Sequence, residues 1–216
     1  MLTLVIGNKN YSSWSLRPWY LLKKFDIEFE EIRLVFDTPG FYSELKKYSL
    51  AGKVPVITDD GQSVWESLAI CEYLAEKFSD KNMWPVDNTK RAHARSVSCE
   101  MISDFGALRN AMPMNCRASG RKVEIDKAVQ KDIDRICTMW RECRDANAES
   151  GPWLFGKFSI ADAMYAPVAS RFRTYGLPLE HTQHDYIDTV LNDPVYQEWL
   201  ADSKAEVEVV EHEEVG

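Results

Sequence analysis

The sequence predicts an α/β domain followed by an all-α domain. Three observations carry this. In the first eighty residues, short apolar or alternating runs of strand length trade places with runs of helical spacing. A polar, proline-containing stretch, "SDKNMWPVDN" (79–88), then interrupts the pattern. Beyond it only helical periodicity recurs. The 216 residues suffice for two small domains that share an interface, divided as 1–80 and 88–216.

The elements follow in order. "LTLVI" (2–6) reads as a short buried strand, and "WSLRPWYLLKKF" (14–25) spaces its apolar residues as a helix does. "FEEIRLVF" (29–36) alternates like a strand, and "FYSELKKYS" (41–49) is a short helix or turn. "VPVIT" (54–58) and "SVW" (63–65) form strands joined by the turn "DDG" (59–61). "ESLAICEYLAEKF" (66–78) is an amphipathic helix. The order βαβ–α–ββα resembles a thioredoxin-like domain, a small mixed sheet with helices on both faces. After the linker, 89–117 reads as one helical run, bent near Pro113. A second helix spans 124–148, with Ile125, Val129, Ile133, Ile136 and Trp140 on one stripe. A third spans 159–172 and contains Pro167; shorter helices near 184–192 and 194–204 follow. The acidic end, "AEVEVVEHEEVG", reads as frayed.

Composition narrows the function classes. The chain is 45% hydrophobic and 28% charged, ordinary for a globular protein. Its net charge of −8, from 26 basic and 34 acidic residues, argues against a nucleic-acid or membrane-surface binder. Five cysteines without CxxC or CxxH spacing argue for reduced thiols rather than a disulfide framework or zinc site. No metal or nucleotide motif is present. "MLTLVIGNKN" lacks a basic leader, and no run approaches the ~18 apolar residues of a membrane span, so the expectation is a cytoplasmic protein.

Three short motifs admit two readings each. The proline of "KVP" (53–55) can simply open a strand, or sit in a special turn that shows neighbouring backbone to a ligand. In "WES" (65–67), Glu66 or Ser67 can cap the following helix. The same residues at a helix N-terminus can bind a carboxylate and pair with an ammonium group, which together suit an amino-acid end. "YSSWSLRP" (11–18) sets hydroxyls at a strand-to-helix junction. Ser12 or Ser13 can be a helix cap, or the helix dipole and a hydroxyl can stabilise a thiolate there.

Taken together these motifs resemble the cytosolic glutathione transferase superfamily over essentially the whole chain. "SSWSLR" (12–17) is similar to the "SSCSWR" stretch of the zeta class, which suggests a serine-type, bacterial-type member. "KVPVI" followed by "ESLAICEYL" looks like the family's cis-proline and γ-glutamyl motif. "FSIADAMYAPV" (158–168) resembles its helical-domain capping box, with Ser159 and Asp162 at S-x-x-D spacing.

The resemblance implies a thioredoxin-like glutathione-binding domain followed by an all-helical domain carrying the hydrophobic substrate site. It implies glutathione as co-substrate, with Val54 beside a cis-Pro55 holding the cysteinyl backbone. Glu66 and Ser67 would hold the γ-glutamyl end, and Lys53 the glycyl end. The thiolate donor would be Ser12, Tyr11 or Ser13; the serine-type string favours Ser12. Tyr11, Trp14, Phe105, Arg109 and Met112 would line the second subsite, with Arg109 selecting an acidic electrophile. The implied activity is a detoxifying transferase that uses the glutathione thiolate against small electrophiles. A binding protein without turnover, or a glutathione-dependent isomerase or dehalogenase, are the other readings. Trp14 stands where zeta-type members carry cysteine, which speaks against maleylacetoacetate isomerase activity. The resemblance also implies a homodimer.

Overall fold

The computed structural model describes residues 1–216. β1 (Leu2–Ile6) enters the interior at once, with Leu4, Val5 and Ile6 fully buried. It feeds α1 (Ser13–Lys24), which returns the chain to β2 (Glu30–Arg33), parallel to β1. After α2 (Phe41–Leu45), β3 (Val56–Asp59) lies antiparallel on the other side of β1, and β4 (Gln62–Trp65) forms the edge. The sheet order is β2-β1-β3-β4. Asp60 and Gly61 both take positive φ (46° and 90°), as a tight two-residue hairpin requires, and Asp59 pairs directly with Gln62. α3 (Ser67–Lys77) completes the first half.

Strand alternation divides β1 between two packing layers. Leu2, Leu4 and Ile6 join the main core, which runs through α1 and α3 into the second half of the chain. Val5 faces the other way and packs with Val56, Phe41 and Leu45 beneath α2. The two faces are thus covered by helices, as a small mixed sheet requires. This is the thioredoxin-like arrangement expected from the element order.

The second half is helical, as expected: α4 (Asn88–Ser103), α5 (Gly106–Ala111), α6 (Lys127–Asp145), α7 (Ile160–Tyr175), α8 (His181–Leu191) and α9 (Pro194–Ala205). α7 is the axis, with 15 of its 16 residues buried. It packs against α1, α4 and α8. Its first turn carries the expected capping box between Ser159 and Asp162.

Three expectations need correction. The 89–117 run breaks first at Asp104–Phe105, where Phe105 takes a left-handed backbone (φ 58°), and then ends at Ala111 before Pro113 instead of bending there. The break is satisfied locally: Arg109 donates to the Met101 and Asp104 carbonyls, and Asp132 accepts the Leu108 N–H at 3.0 Å. Ile125 lies outside its helix, which starts only after Asp126 accepts the Ala128 and Val129 amides. The acidic end is docked rather than frayed. Glu206 accepts the backbone N–H groups of Lys9 and Asn10 (2.6 and 3.0 Å), and Val210 is buried. Arg117 donates to the Glu206 and Glu208 carbonyls, both at 2.9 Å. Its negative charges found fixed arginines, a pairing that charge density along the chain does not reveal.

Candidate functional site

The loop 7–12 and the first turn of α1 form the centre of the site. Ser12 occupies the N-cap position, but its hydroxyl makes no cap bond. It donates instead to Ser15 Oγ at 2.7 Å, and Ser15 Oγ also accepts the Gly7 N–H at 3.2 Å. The Ser13 hydroxyl accepts from Arg171 Nη2 at 3.2 Å, leaving its own proton uncommitted. Ser67 does not cap α3 either. Its hydroxyl donates to the Trp14 carbonyl at 2.9 Å and so ties α3 to α1. The simple capping reading of Ser12 and Ser67 is therefore replaced by bonds that brace the loop, and Glu66, at the N-cap of α3, makes no side-chain cap bond.

Two cavities meet here. The smaller, about 200 Å³, is lined by Trp14, Lys53, Val54, Pro55, Trp65, Glu66 and Ser67. The Val54–Pro55 bond is cis, and Glu66 takes φ 68° at the start of α3, with its side chain exposed. All five residues assigned from sequence to glutathione thus surround one cavity. The larger, about 420 Å³, shares Trp14, Lys53 and Val54 with it. Tyr11, Ser12 and Ser13, the aromatic Phe36, Phe41 and Tyr42, and the charged Arg109, Arg171 and Glu213 also line it. A wider groove of about 890 Å³ around Lys9 and Trp19 shares no residue with either cavity.

Phe105 and Met112, expected on the wall of the second subsite, are buried in the main core instead. Phe105 is the left-handed N-cap of α5 and Met112 its non-helical C-cap, so neither continues the helical spacing that Arg109 follows. Arg109 does reach the cavity, and its guanidinium lies 5.7 Å from the Trp14 ring centroid. Tyr11 lines the cavity too, but its hydroxyl is engaged elsewhere. It donates to Glu214 Oε1 and accepts from Arg117 Nη2, both at 2.6 Å. Burial, then the Glu214 bond, push the Tyr11 phenol above its ordinary value.

The field of the site is positive within an acidic protein. Arg17 is fully buried beneath Trp14, 4.0 Å from its ring centroid. Arg17, Arg109 and Arg171 donate only to carbonyl or hydroxyl oxygens: those of Met164, of Met101 and Asp104, and of Met112 and Ser13. Both terminal nitrogens of Arg17 and Nη1 of Arg171 have no hydrogen-bond partner. Burial, with the other arginines nearby, pulls Arg17 down to about 9 and Arg171 to about 10. Arg17 and Arg171 form no ion pair, with Glu213 the only carboxylate acting on Arg171, and such buried cations favour an anion in the adjoining cavity.

Sequence reasoning missed Arg171 and the tail residues. Arg171 carried a signal: it stands seven residues after Met164, on a helix otherwise buried almost throughout. Glu213 and Glu214 carried none, because their role depends on where the chain end docks.

This fold and this paired cavity define a glutathione transferase architecture. The glutathione S-transferase N-terminal domain model matches residues 11–77, and the C-terminal domain model matches residues 125–202. The chain belongs to the cytosolic glutathione transferase superfamily. Among its relatives is a probable maleylacetoacetate isomerase of Caenorhabditis elegans, 41% identical over 98 residues. That match covers 45% of this chain and 45% of the relative, so it spans about half of each. The maleylacetoacetate isomerase of Rattus norvegicus is 34% identical over 99 residues, covering 45% of this chain and 46% of the relative. A glutathione transferase homolog from Burkholderia, solved with bound glutathione, has the same fold: TM-score 0.73 at 23% identity, covering 95% of this chain and 99% of that one. No helix is long and apolar enough to cross a membrane.

Proposed function

We propose that this chain binds glutathione in the smaller cavity, activates its thiol at the N-terminus of α1, and presents it to a small electrophile in the larger cavity. The glutathione unit is 1–80 and the electrophile unit 88–216. The observation that carries this is the junction of the two cavities at Trp14, Lys53 and Val54, directly beside Ser12 and Ser13. The cis Val54 backbone would pair with the cysteinyl peptide. The α3 N-terminus with Glu66 suits an end bearing both carboxylate and ammonium, and exposed Lys53 suits the glycyl carboxylate. A sulfur set between them faces the positive end of α1, the serine hydroxyls and the unpaired arginines. All three favour thiolate over thiol. The thiol proton leaves to solvent, and the sulfur forms a bond to the electrophilic carbon without a covalent enzyme intermediate.

The relatives named maleylacetoacetate isomerase favour a second reading, in which the same thiolate isomerises a substrate double bond. Trp14, in place of the zeta-class cysteine, weighs against it. The decisive experiment combines a glutathione thermal shift, a conjugation assay over several electrophiles and an isomerisation assay with maleylacetoacetate. Stabilisation with conjugation supports the transferase, and isomerisation alone supports the second reading. Stabilisation without either turnover would leave a binding protein. We also propose a homodimer, with half-exposed Trp65 on the edge strand β4 available to a second copy; sedimentation at micromolar concentration tests this.

A further inference from the structure

The C-terminal strap places one acidic residue on the larger cavity. Glu213 is the only acidic residue among those lining it. The residues on either side explain how a chain end can be held there. Upstream, Glu206 is fixed by the Lys9 and Asn10 amides and by Arg33 at 3.2 Å. Downstream, Glu214 is fixed by Tyr11, Arg117 and Arg121. Tyr11 immediately precedes the serines, so the strap and the thiol-activating loop are tied to each other. Between these anchors the Glu213 carboxyl receives no direct hydrogen bond; His212 Nε2 stands 3.8 Å away. Its peptide N–H bonds back to the Val210 carbonyl at 2.9 Å, closing the turn that turns it inward.

From this placement we infer that Glu213 is the proton donor for addition of glutathione to an α,β-unsaturated carbonyl compound held against the aromatic residues of the cavity. The inference rests on the glutathione reading above. Addition differs from substitution in what it needs. When the sulfur bonds to the β-carbon, the carbon–carbon π bond breaks and its electron pair moves toward the carbonyl as an enolate. The α-carbon must then take a proton. The Glu213 O–H bond breaks to supply it, and the carboxylate recovers a proton from solvent, equivalent to the one the thiol released. Substitution at an aryl chloride expels chloride instead and needs no such donor.

The surroundings suit an acid that is protonated for part of its cycle. Burial raises Glu213 above its ordinary value, and Asp37 adds to this; His212 and Arg171 oppose it. Arg109, Lys53, Tyr11 and Tyr42 are the remaining ionisable groups that line the cavity.

The test compares Glu213→Gln with the unaltered protein on two probes, cinnamaldehyde for addition and chlorodinitrobenzene for substitution. General acid catalysis contributes on the order of 10²-fold or more. Glu213→Gln should therefore lower kcat for cinnamaldehyde at least ~10-fold more than it lowers kcat for the aryl chloride. The decline of addition kcat toward high pH should disappear with it, and Glu213→Asp should restore that decline. Equal losses on both probes would show a merely structural strap and overturn the inference. A raised KM for cinnamaldehyde with kcat unchanged would show a binding contact only, and would also overturn it. If the unaltered protein binds glutathione but turns over neither probe, the conjugation reading fails, and this inference falls with it.

Discussion

At the residue scale, the hydroxyls of the α1 junction differ in what they are free to do. Tyr11 is spent on Glu214 and Arg117, whereas Ser13 keeps its proton and Ser12 shares one with Ser15. Ser12→Ala or Ser13→Ala should raise the pKa of bound glutathione and lower turnover by about 10²-fold for whichever touches the sulfur. Tyr11→Phe should instead loosen the chain end and leave that pKa in place. Ultraviolet thiolate absorbance of the glutathione complex across a pH series reads this; a pKa shift confined to Tyr11→Phe would refute the assignment. Gly7 makes a second residue-scale point. A Cβ there would lie 2.2 Å from the Phe36 ring, which lines the larger cavity. Gly7→Ala should push Phe36 aside and raise KM for aromatic electrophiles more than KM for glutathione, measurable by steady-state kinetics.

At the element scale, the start of α7 rests on one buried carboxylate. Asp162 accepts from the Leu154 and Ser159 amides and from the Ser159 and Tyr186 hydroxyls, at 2.9 to 3.1 Å. Asp162→Ala would strand these donors and cost about 3 kcal/mol. At ~2–4 °C per kcal/mol for a chain of this size, Tm should fall by roughly 10 °C. Burial raises Asp162 from 3.8 to about 6 despite its four donors. Between those values the folded protein keeps a proton that the unfolded chain sheds, so this group makes stability fall as pH rises across that window. Asp162→Asn should flatten that slope in denaturant titrations run at successive pH values. The capping box was legible from S-x-x-D spacing, because its two partners are three residues apart. The break between α4 and α5 was not. It depends on a left-handed Phe105 and on Asp132, which reaches back from another helix.

At the scale of the whole molecule, the strap joins the two halves. Arg117 holds Tyr11 and three parts of the tail at once. Arg117→Ala should raise amide exchange across 206–216 at least several-fold while the protection of α7 stays unchanged. No change in the tail would contradict the docking described here. Arg33 holds Glu208 below the ordinary carboxylate value. Its contribution to docking is therefore present at neutral pH and lost as pH falls through that depressed value. Tail exchange should rise on acidification, and less so in Glu208→Gln.

The sequence by itself determined the element order, the mixed sheet followed by helices and, through the resemblance of its motifs, five of the seven residues around the smaller cavity. These follow from local periodicity and from motifs whose members lie within a few residues of each other. Lys53 to Pro55 and Trp65 to Ser67 sit at the two ends of a single hairpin, so their convergence follows from strand pairing. The tertiary structure alone brought Arg171 and Glu213 to the larger cavity beside Arg109. Arg171 meets Ser13 across 158 positions, and Glu214 meets Tyr11 across 203. Such contacts are set by how helices pack and where a chain end docks, and no spacing along the chain encodes them. The same packing sent Phe105 and Met112 into the core and brought Glu213, from a tail that reads only as acidic, to the cavity.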